Sequence, residues 1–335
     1  MPWLAEVQRP PGELPDQAPR LKPLLVDATG HKITTLAAWE KRRQQLAQWW
    51  LDFLGPLATA PRPAPPRLEV IEEDRSQGVV RQKVRYQVEP GVAVEAYLLR
   101  PPEPAGRVPG VAVFHSTVNH TIRQPAGLEG RPEKAFGLKL AQRGLVALCP
   151  RNFLWPDEGP IATGPAVAEL RQRHPRSKGM AKMLYDAMVA VDILASLPRV
   201  DPRRLGAVGH SLGAKEVLYL AALDRRIAVA VSSEGGIGTR FSNWSAPWYL
   251  GEAITGEDFD HDHHELLALV PPRAFLLVGG DSADGVRSWP FIQAVLPIYR
   301  LYGAPARMGL FNHKRGHSVP PEAERHIYQW IEAYL

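Results

Sequence analysis

The sequence predicts an α/β fold: a mostly parallel central sheet with helices on both faces. Three observations carry this. Short continuous apolar runs recur at 110–114, 145–149, 204–208, 229–232, 274–278 and 307–311, as expected of strands buried on both sides. Stretches rich in helix formers separate them at 133–143, 179–197 and 214–223, with a last one at 321–335. Finally, 335 residues at 45% hydrophobic content suffice for one large domain with an extension.

Taken in order, residues 1–33 are Pro-rich and irregular. Thr35 caps a helix that runs to Phe53 and stops at Gly55-Pro56. Its Leu36, Trp39, Leu46, Trp49, Trp50 and Phe53 fall mostly on one stripe, with Lys41, Arg42 and Arg43 off it, so the helix should dock on the main body. Pro61 to Pro66 reads as a stiff linker. The division expected is an N-terminal extension over 1–66 and a main domain over 67–335. Strands at 79–88 and 92–99 flank the turn Glu89-Pro90-Gly91. The buried strand 110–114 ends in His115-Ser116-Thr117, and the strand ending at Cys149 leads into a long loop through Trp155. Residues 235–262 interrupt the strand–helix rhythm with Phe241, Trp244, Trp248 and Tyr249. That stretch is expected to be a small lid or pocket wall.

Gly209-His210-Ser211-Leu212-Gly213 reads G-x-S-x-G between an apolar strand and a breaker-free helix. That order suits a serine held at the tip of a sharp strand-to-helix turn, with small neighbours letting backbones approach. The helix N-terminus then directs free N–H groups at a reacting oxygen. A serine nucleophile needs a base and an acid, expected in the order Ser, acid, His. Asp281 follows an apolar strand and Gly279-Gly280, and His317 lies in the loop after the next strand. Asp284 reads as a turn residue. His210 is read as structural.

Other features narrow the function. The net charge of +5 is spread along the chain, which argues against nucleic-acid or membrane partners. No segment approaches 18 apolar residues. Cys149 is the single cysteine and reads as a core residue, so no internal disulfide forms and a reducing compartment suits the chain. Met1-Pro2-Trp3-Leu4 is followed by polar, Pro-rich sequence rather than a basic and then apolar stretch, so a cytoplasmic location is expected. His261-Asp262-His263-His264 resembles a metal cluster, but adjacent helical residues face different ways. A capped helix start is the reading, with no metal and no cofactor.

The chain resembles an α/β-hydrolase over residues 67–335. The hairpin ending in Leu98-Leu99-Arg100-Pro101 and the segment Val200-Asp201-Pro202-Arg203-Arg204-Leu205 are similar to the dienelactone hydrolase, acetyl xylan esterase and prolyl oligopeptidase group. Two features resemble the glucuronoyl esterases. Lys215 stands four residues after the serine, and Glu234 stands 23 residues after it in Ser232-Ser233-Glu234-Gly235-Gly236. Those enzymes usually carry Arg directly after the serine, where this chain has Leu212. The resemblance implies a serine esterase that cleaves small or sugar-linked esters through an acyl-enzyme. Asp281, in the commoner position, is set ahead of Glu234 as the acid. The N–H groups of Leu212 and Thr117 are the expected oxyanion donors, and Lys215, Trp244 and Trp248 the expected substrate contacts. A glucuronoyl-esterase-like carbohydrate esterase is one alternative. A prolyl-oligopeptidase-type peptidase is another, although 66 residues are too few for a propeller. Serine rather than aspartate at the elbow disfavours a haloalkane dehalogenase.

Overall fold

Alternate residues of the central strands enter two different cores. Val111, Val113, Val208, Val229, Val231, Leu276 and Val278 face one side of the sheet. Ala112, Phe114, Leu205, Ala207, Ala230, Phe275 and Leu277 face the other. With successive side chains pointing to opposite faces, a strand can be apolar throughout only when helices cover both faces. The computed structural model describes residues 3–335 except 17, 28, 63, 104, 105, 157 and 158. The expected linker at 61–66 thus lies partly outside the described residues.

In chain order the elements are α1 (Leu4–Val7), α2 (Leu36–Leu54), β1 (Glu69–Ser76), β2 (Val79–Glu89), β3 (Val92–Arg100), β4 (Val108–Phe114), α3 (Phe136–Gln142), β5 (Val146–Pro150), α4 (Thr163–Arg173) and α5 (Gly179–Ser196). Then follow β6 (Val200–His210), α6 (Leu212–Leu223), β7 (Ile227–Ser233), α7 (His264–Leu267), β8 (Ala274–Gly279), α8 (Trp289–Leu301), β9 (Met308–Asn312) and α9 (Pro321–Tyr334). The sheet order is β1-β2-β3-β5-β4-β6-β7-β8-β9. β4 to β9 are parallel, and β1, β2 and β3 extend the sheet antiparallel. α3 and α9 lie in one core with Val7 of α1. α5 and α6 lie in the other, together with residues of α2, α7 and α8.

The N-terminal helix is part of this second core. Thr35 caps it by accepting the Ala38 N–H at 3.3 Å. Trp39, Leu46, Trp50 and Leu54 are buried, Arg43 donates to the Leu269 carbonyl at 2.7 Å, and Trp50 Nε1 donates to Glu265 at 3.0 Å. Each large side chain buried in this way is worth roughly 1.5–3 kcal/mol. No helix among the described residues is long and apolar enough to cross a membrane.

Four elements escape the sequence reading. α1 is a short helix within the stretch 1–33 read as irregular. β1 is exposed along its whole length, so Glu69-Val70-Ile71-Glu72-Glu73-Asp74 shows no one-sided pattern. α4 is mostly polar on its outer face, and α8 carries Pro290 in its first turn and Pro297 inside it.

Candidate active site

β6 ends at His210 and α6 begins at Leu212, which leaves Ser211 alone at the turn with φ 61° and ψ −117°. A non-glycine residue with positive φ is uncommon and is held only when its surroundings over-determine it. They do so here: the Ser211 N–H donates to the Ser233 carbonyl at 2.8 Å. The flanking glycines are steric necessities. A Cβ at Gly209 would sit 2.4 Å from the Gly213 backbone, and one at Gly213 only 2.3 Å from the Phe114 carbonyl oxygen. The elbow helix therefore packs backbone to backbone on the end of β4, beside His115-Ser116-Thr117.

Glu234 caps β7, also with positive φ (56°). Its side chain is buried, and its Oε2 lies 3.1 Å from His317 Nδ1. The tip of β8 builds the cradle for this pair. The Gly280 N–H donates to Glu234 Oε1, and the Ala283 N–H donates to Oε2 at 2.8 Å. The carbonyls of the same tip hold the loop that bears His317: the His313 N–H donates to Gly279 at 2.8 Å and the Gly316 N–H to Gly280 at 2.7 Å. A Cβ at Gly280 would come within 2.0 Å of the Gly316 oxygen. Gly279-Gly280 thus marks the docking of the histidine loop rather than the delivery of Asp281.

Asp281, set ahead of Glu234 on sequence alone, has other partners. Its Oδ1 accepts the Val286 N–H at 3.2 Å and the Asn312 amide at 2.7 Å, and the residue is exposed. Asp284 is a buried turn anchor, accepting the Gly236 and Ile237 N–H groups at 2.7 and 2.8 Å and the Ser288 hydroxyl at 2.9 Å. His210 lies beneath the site, its ring centroid 4.6 Å from that of His317 and its Nδ1 3.0 Å from the Ser233 hydroxyl. Burial holds its pKa well below the ordinary histidine value, which keeps it neutral.

The expected substrate contacts sit deeper than anticipated. Lys215 is only 4% exposed and its Nζ has no hydrogen-bond partner; it lies 3.9 Å above the Trp244 ring centroid. Burial lowers its pKa to about 7, against a weaker upward pull from Asp284. Trp244 is itself fully buried, donating from Nε1 to the Gly236 carbonyl at 2.7 Å. These two are buried against each other, and Trp248 remains half-buried. The segment 235–262 is pinned rather than free, by the Asp284 contacts and by the Thr239 N–H donating to Asp262 at 2.9 Å. The histidines near 261 go to separate partners: His261 to Glu265, His263 to the Tyr219 hydroxyl and the Ile237 carbonyl, His264 to the Lys22 carbonyl.

One buried network went unread in the sequence. Asn152, just past β5, donates its side-chain amide to Glu216 on α6 at 2.9 Å and its backbone N–H to His115 Nε2 at 3.1 Å. His115 Nδ1 in turn donates to the Ser116 carbonyl at 2.7 Å. The Ser116 N–H is taken by Gln124 Oε1 at 3.1 Å, while Thr117 is exposed. Burial lowers the His115 pKa to about 4 and raises that of Glu216 to about 8, so at neutral pH the network holds an uncharged imidazole and a largely protonated carboxyl.

The dienelactone hydrolase family profile matches residues 94–245, the span that runs from β3 through the elbow and Glu234. Over that span the chain resembles the dienelactone hydrolase family. Its α/β-hydrolase fold is shared with a glucuronoyl esterase from Solibacter usitatus (TM-score 0.73, 18% identity, 96% of this chain and 99% of that one). Among curated proteins, it is 26% identical over 175 residues to a 4-O-methyl-glucuronoyl methylesterase of Neurospora crassa, covering 44% of each chain. It is 22% identical to a carbohydrate esterase of an unknown prokaryotic organism, over 89% of this chain and 80% of that one. The chain spans less than half the length of the first curated relatives it matches.

Proposed function

We propose that the chain is a serine carboxylic ester hydrolase in which Ser211 is the nucleophile, His317 the base and Glu234 the acid that orients it. The observation carrying this is the Glu234–His317 contact of 3.1 Å at the sheet edge where the strained Ser211 turn stands. With Nδ1 bound to Glu234, the neutral imidazole keeps its proton there and offers Nε2 to the serine hydroxyl. His317 accepts the Ser211 proton as the oxygen attacks the ester carbonyl, and the carboxylate stabilises the imidazolium. The tetrahedral oxyanion is met by the Leu212 N–H at the start of α6 and by the Thr117 N–H. His317 then protonates the leaving alkoxide, and water it activates releases the acid from Ser211.

The substrate class we favour is a small or sugar-linked ester. Relatives named as methylesterase and carbohydrate esterase support it. A glucuronoyl-type ester is the second reading, favoured by Lys215 and by the acid on β7; Leu212, a buried apolar residue where the glucuronoyl esterases usually carry Arg, favours the broader small-ester reading. The test is hydrolysis of short p-nitrophenyl esters, acetylated xylo-oligomers and a methyl glucuronate. Turnover that Ser211→Ala reduces by on the order of 10⁴ or more supports the reading. An Ser211→Ala protein as active as wild type refutes it.

A further inference from the structure

A cavity of about 350 Å³ opens beside the active site and contains neither Ser211 nor His317. It lies between the β2–β3 turn, the end of β5 and the first turns of α5, with α4 closing it. Its inner wall reaches the elbow helix and the end of β4 through Asn152, which is bonded to Glu216 and to His115.

The lining is charged but balanced. Glu95 is held by Arg151 at 2.6 Å and Arg85 at 2.9 Å. Glu89 is held by Lys182 at 2.8 Å and His174 at 2.5 Å, and Lys182 also reaches Asp186 at 2.5 Å. With Arg173 and Glu169, the described lining residues carry four permanent cations and four carboxylates. That balance gives these residues no net charge to draw an ion, and their ion pairs fix donors and acceptors in place. Among the described residues, Asp186 Oδ2, an acceptor, and Trp155 Nε1, a donor, are buried atoms of the lining without a hydrogen-bond partner. A hydroxyl group can serve either. Trp155, Phe153 and Leu170 add apolar surface, suited to the C–H faces of a ring. The volume is at the small end of ligand sites, roughly 300–1,000 Å³.

We propose that this cavity binds a neutral, polyhydroxylated ring, the sugar portion of a carbohydrate ester whose acyl group is cleaved at Ser211. The subsite role rests on the esterase reading; the binding itself does not. Ala93 lines the cavity from an exposed position of β3, and Ala166 lines it from α4. Ala93→Trp and Ala166→Phe are therefore filling variants on two separate walls, so loss of one to misfolding leaves the other to be read.

Titration calorimetry with xylobiose, and with glucuronate as its charged counterpart, tests the binding directly. Expected are saturable binding of xylobiose by the wild-type protein, at least tenfold weaker binding of glucuronate, and a tenfold or greater loss of xylobiose affinity in a folded filling variant. In the same variant, KM for an acetylated xylobiose should rise at least fivefold while turnover of p-nitrophenyl acetate stays within twofold. No heat with xylobiose, binding undiminished by filling, or preference for glucuronate would overturn the site, and an unchanged KM would overturn its role as a subsite. A wild-type protein inert towards every ester but still binding xylobiose would refute the esterase reading and leave the site standing.

Discussion

Replacing Lys215 by methionine should stabilise the protein, and by an amount that depends on pH in a defined direction. Methionine keeps the length and apolar stem of the side chain and removes an ammonium that is buried without a hydrogen-bond partner. In the fold the Lys215 pKa lies at about 7 against an ordinary 10.5, with burial the main cause. A depressed pKa means that protonation opposes folding: the penalty is absent above about 10.5, grows as pH falls, and is complete below about 7. At 1.4 kcal/mol per tenfold, this sets a ceiling of about 4–5 kcal/mol at pH 6 and about 1 kcal/mol at pH 10. The Trp244 ring beneath the ammonium returns ~2 kcal/mol of that at the acid end. Glu216, raised from 4.5 to about 8 by burial, has the opposite sign. Its contribution is full below about 4.5 and lost as pH rises through 8, but both proteins contain it and it cancels in the difference. Urea unfolding of wild type and Lys215→Met at pH 6 and pH 10 should give a gain of a few kcal/mol at pH 6 that shrinks to under about 1 at pH 10. A gain independent of pH, or a loss at pH 6, would refute the reasoning.

Three further outcomes follow from the same geometry. Gly213→Ala places a methyl 2.3 Å from the Phe114 carbonyl, where backbone must yield; a loss of about 3 kcal/mol or more and abolished turnover are expected, and a melting temperature within a degree of wild type would contradict this. Asn152→Ala severs the link between the elbow helix and the loop bearing Thr117. It should lower kcat about tenfold with little change in KM and cost ~1–3 kcal/mol; an unchanged kcat would show the link to be idle. Cys149 is buried and burial pushes its thiol pKa far above the ordinary range. The native protein should therefore leave a thiol reagent such as dithiobis-nitrobenzoate unreacted until urea is added, and labelling within minutes would show that β5 opens.

Where local chemistry and tertiary need coincide, the sequence could be read. Gly209-x-Ser211-x-Gly213 marks two backbone approaches, and both are present. The buried strands announce themselves because covering both faces removes the polar alternation. Thr35 and Gly55 bound α2 as their side-chain chemistry requires. β1 could not be read in this way, since nothing covers either face and its residues answer only to solvent. The choice of acid was ambiguous for a different reason. Asp281 and Glu234 both follow buried strands at the same sheet edge, and both hold positive φ. The cradle favours Glu234 in the proposed reading: the Gly280 and Ala283 N–H groups donate to it, a long-range relation that no local pattern encodes. Gly279-Gly280 was the available signal, read as a turn for Asp281 when it is the contact surface for the loop carrying His317. Lys215 and Trp244 were visible as residue types but not as a buried pair, because depth is set by the segment 235–262 folding over them.

The most direct test of the central claim is kcat/KM on a p-nitrophenyl ester for Glu234→Gln beside Asp281→Asn. Glu234→Gln should fall by about 100- to 10,000-fold, since the imidazole loses the carboxylate that fixes its tautomer and stabilises its charge, while Asp281→Asn stays within a few-fold of wild type. A collapse of Asp281→Asn with Glu234→Gln still active would contradict the assignment of Glu234 as the partner of His317.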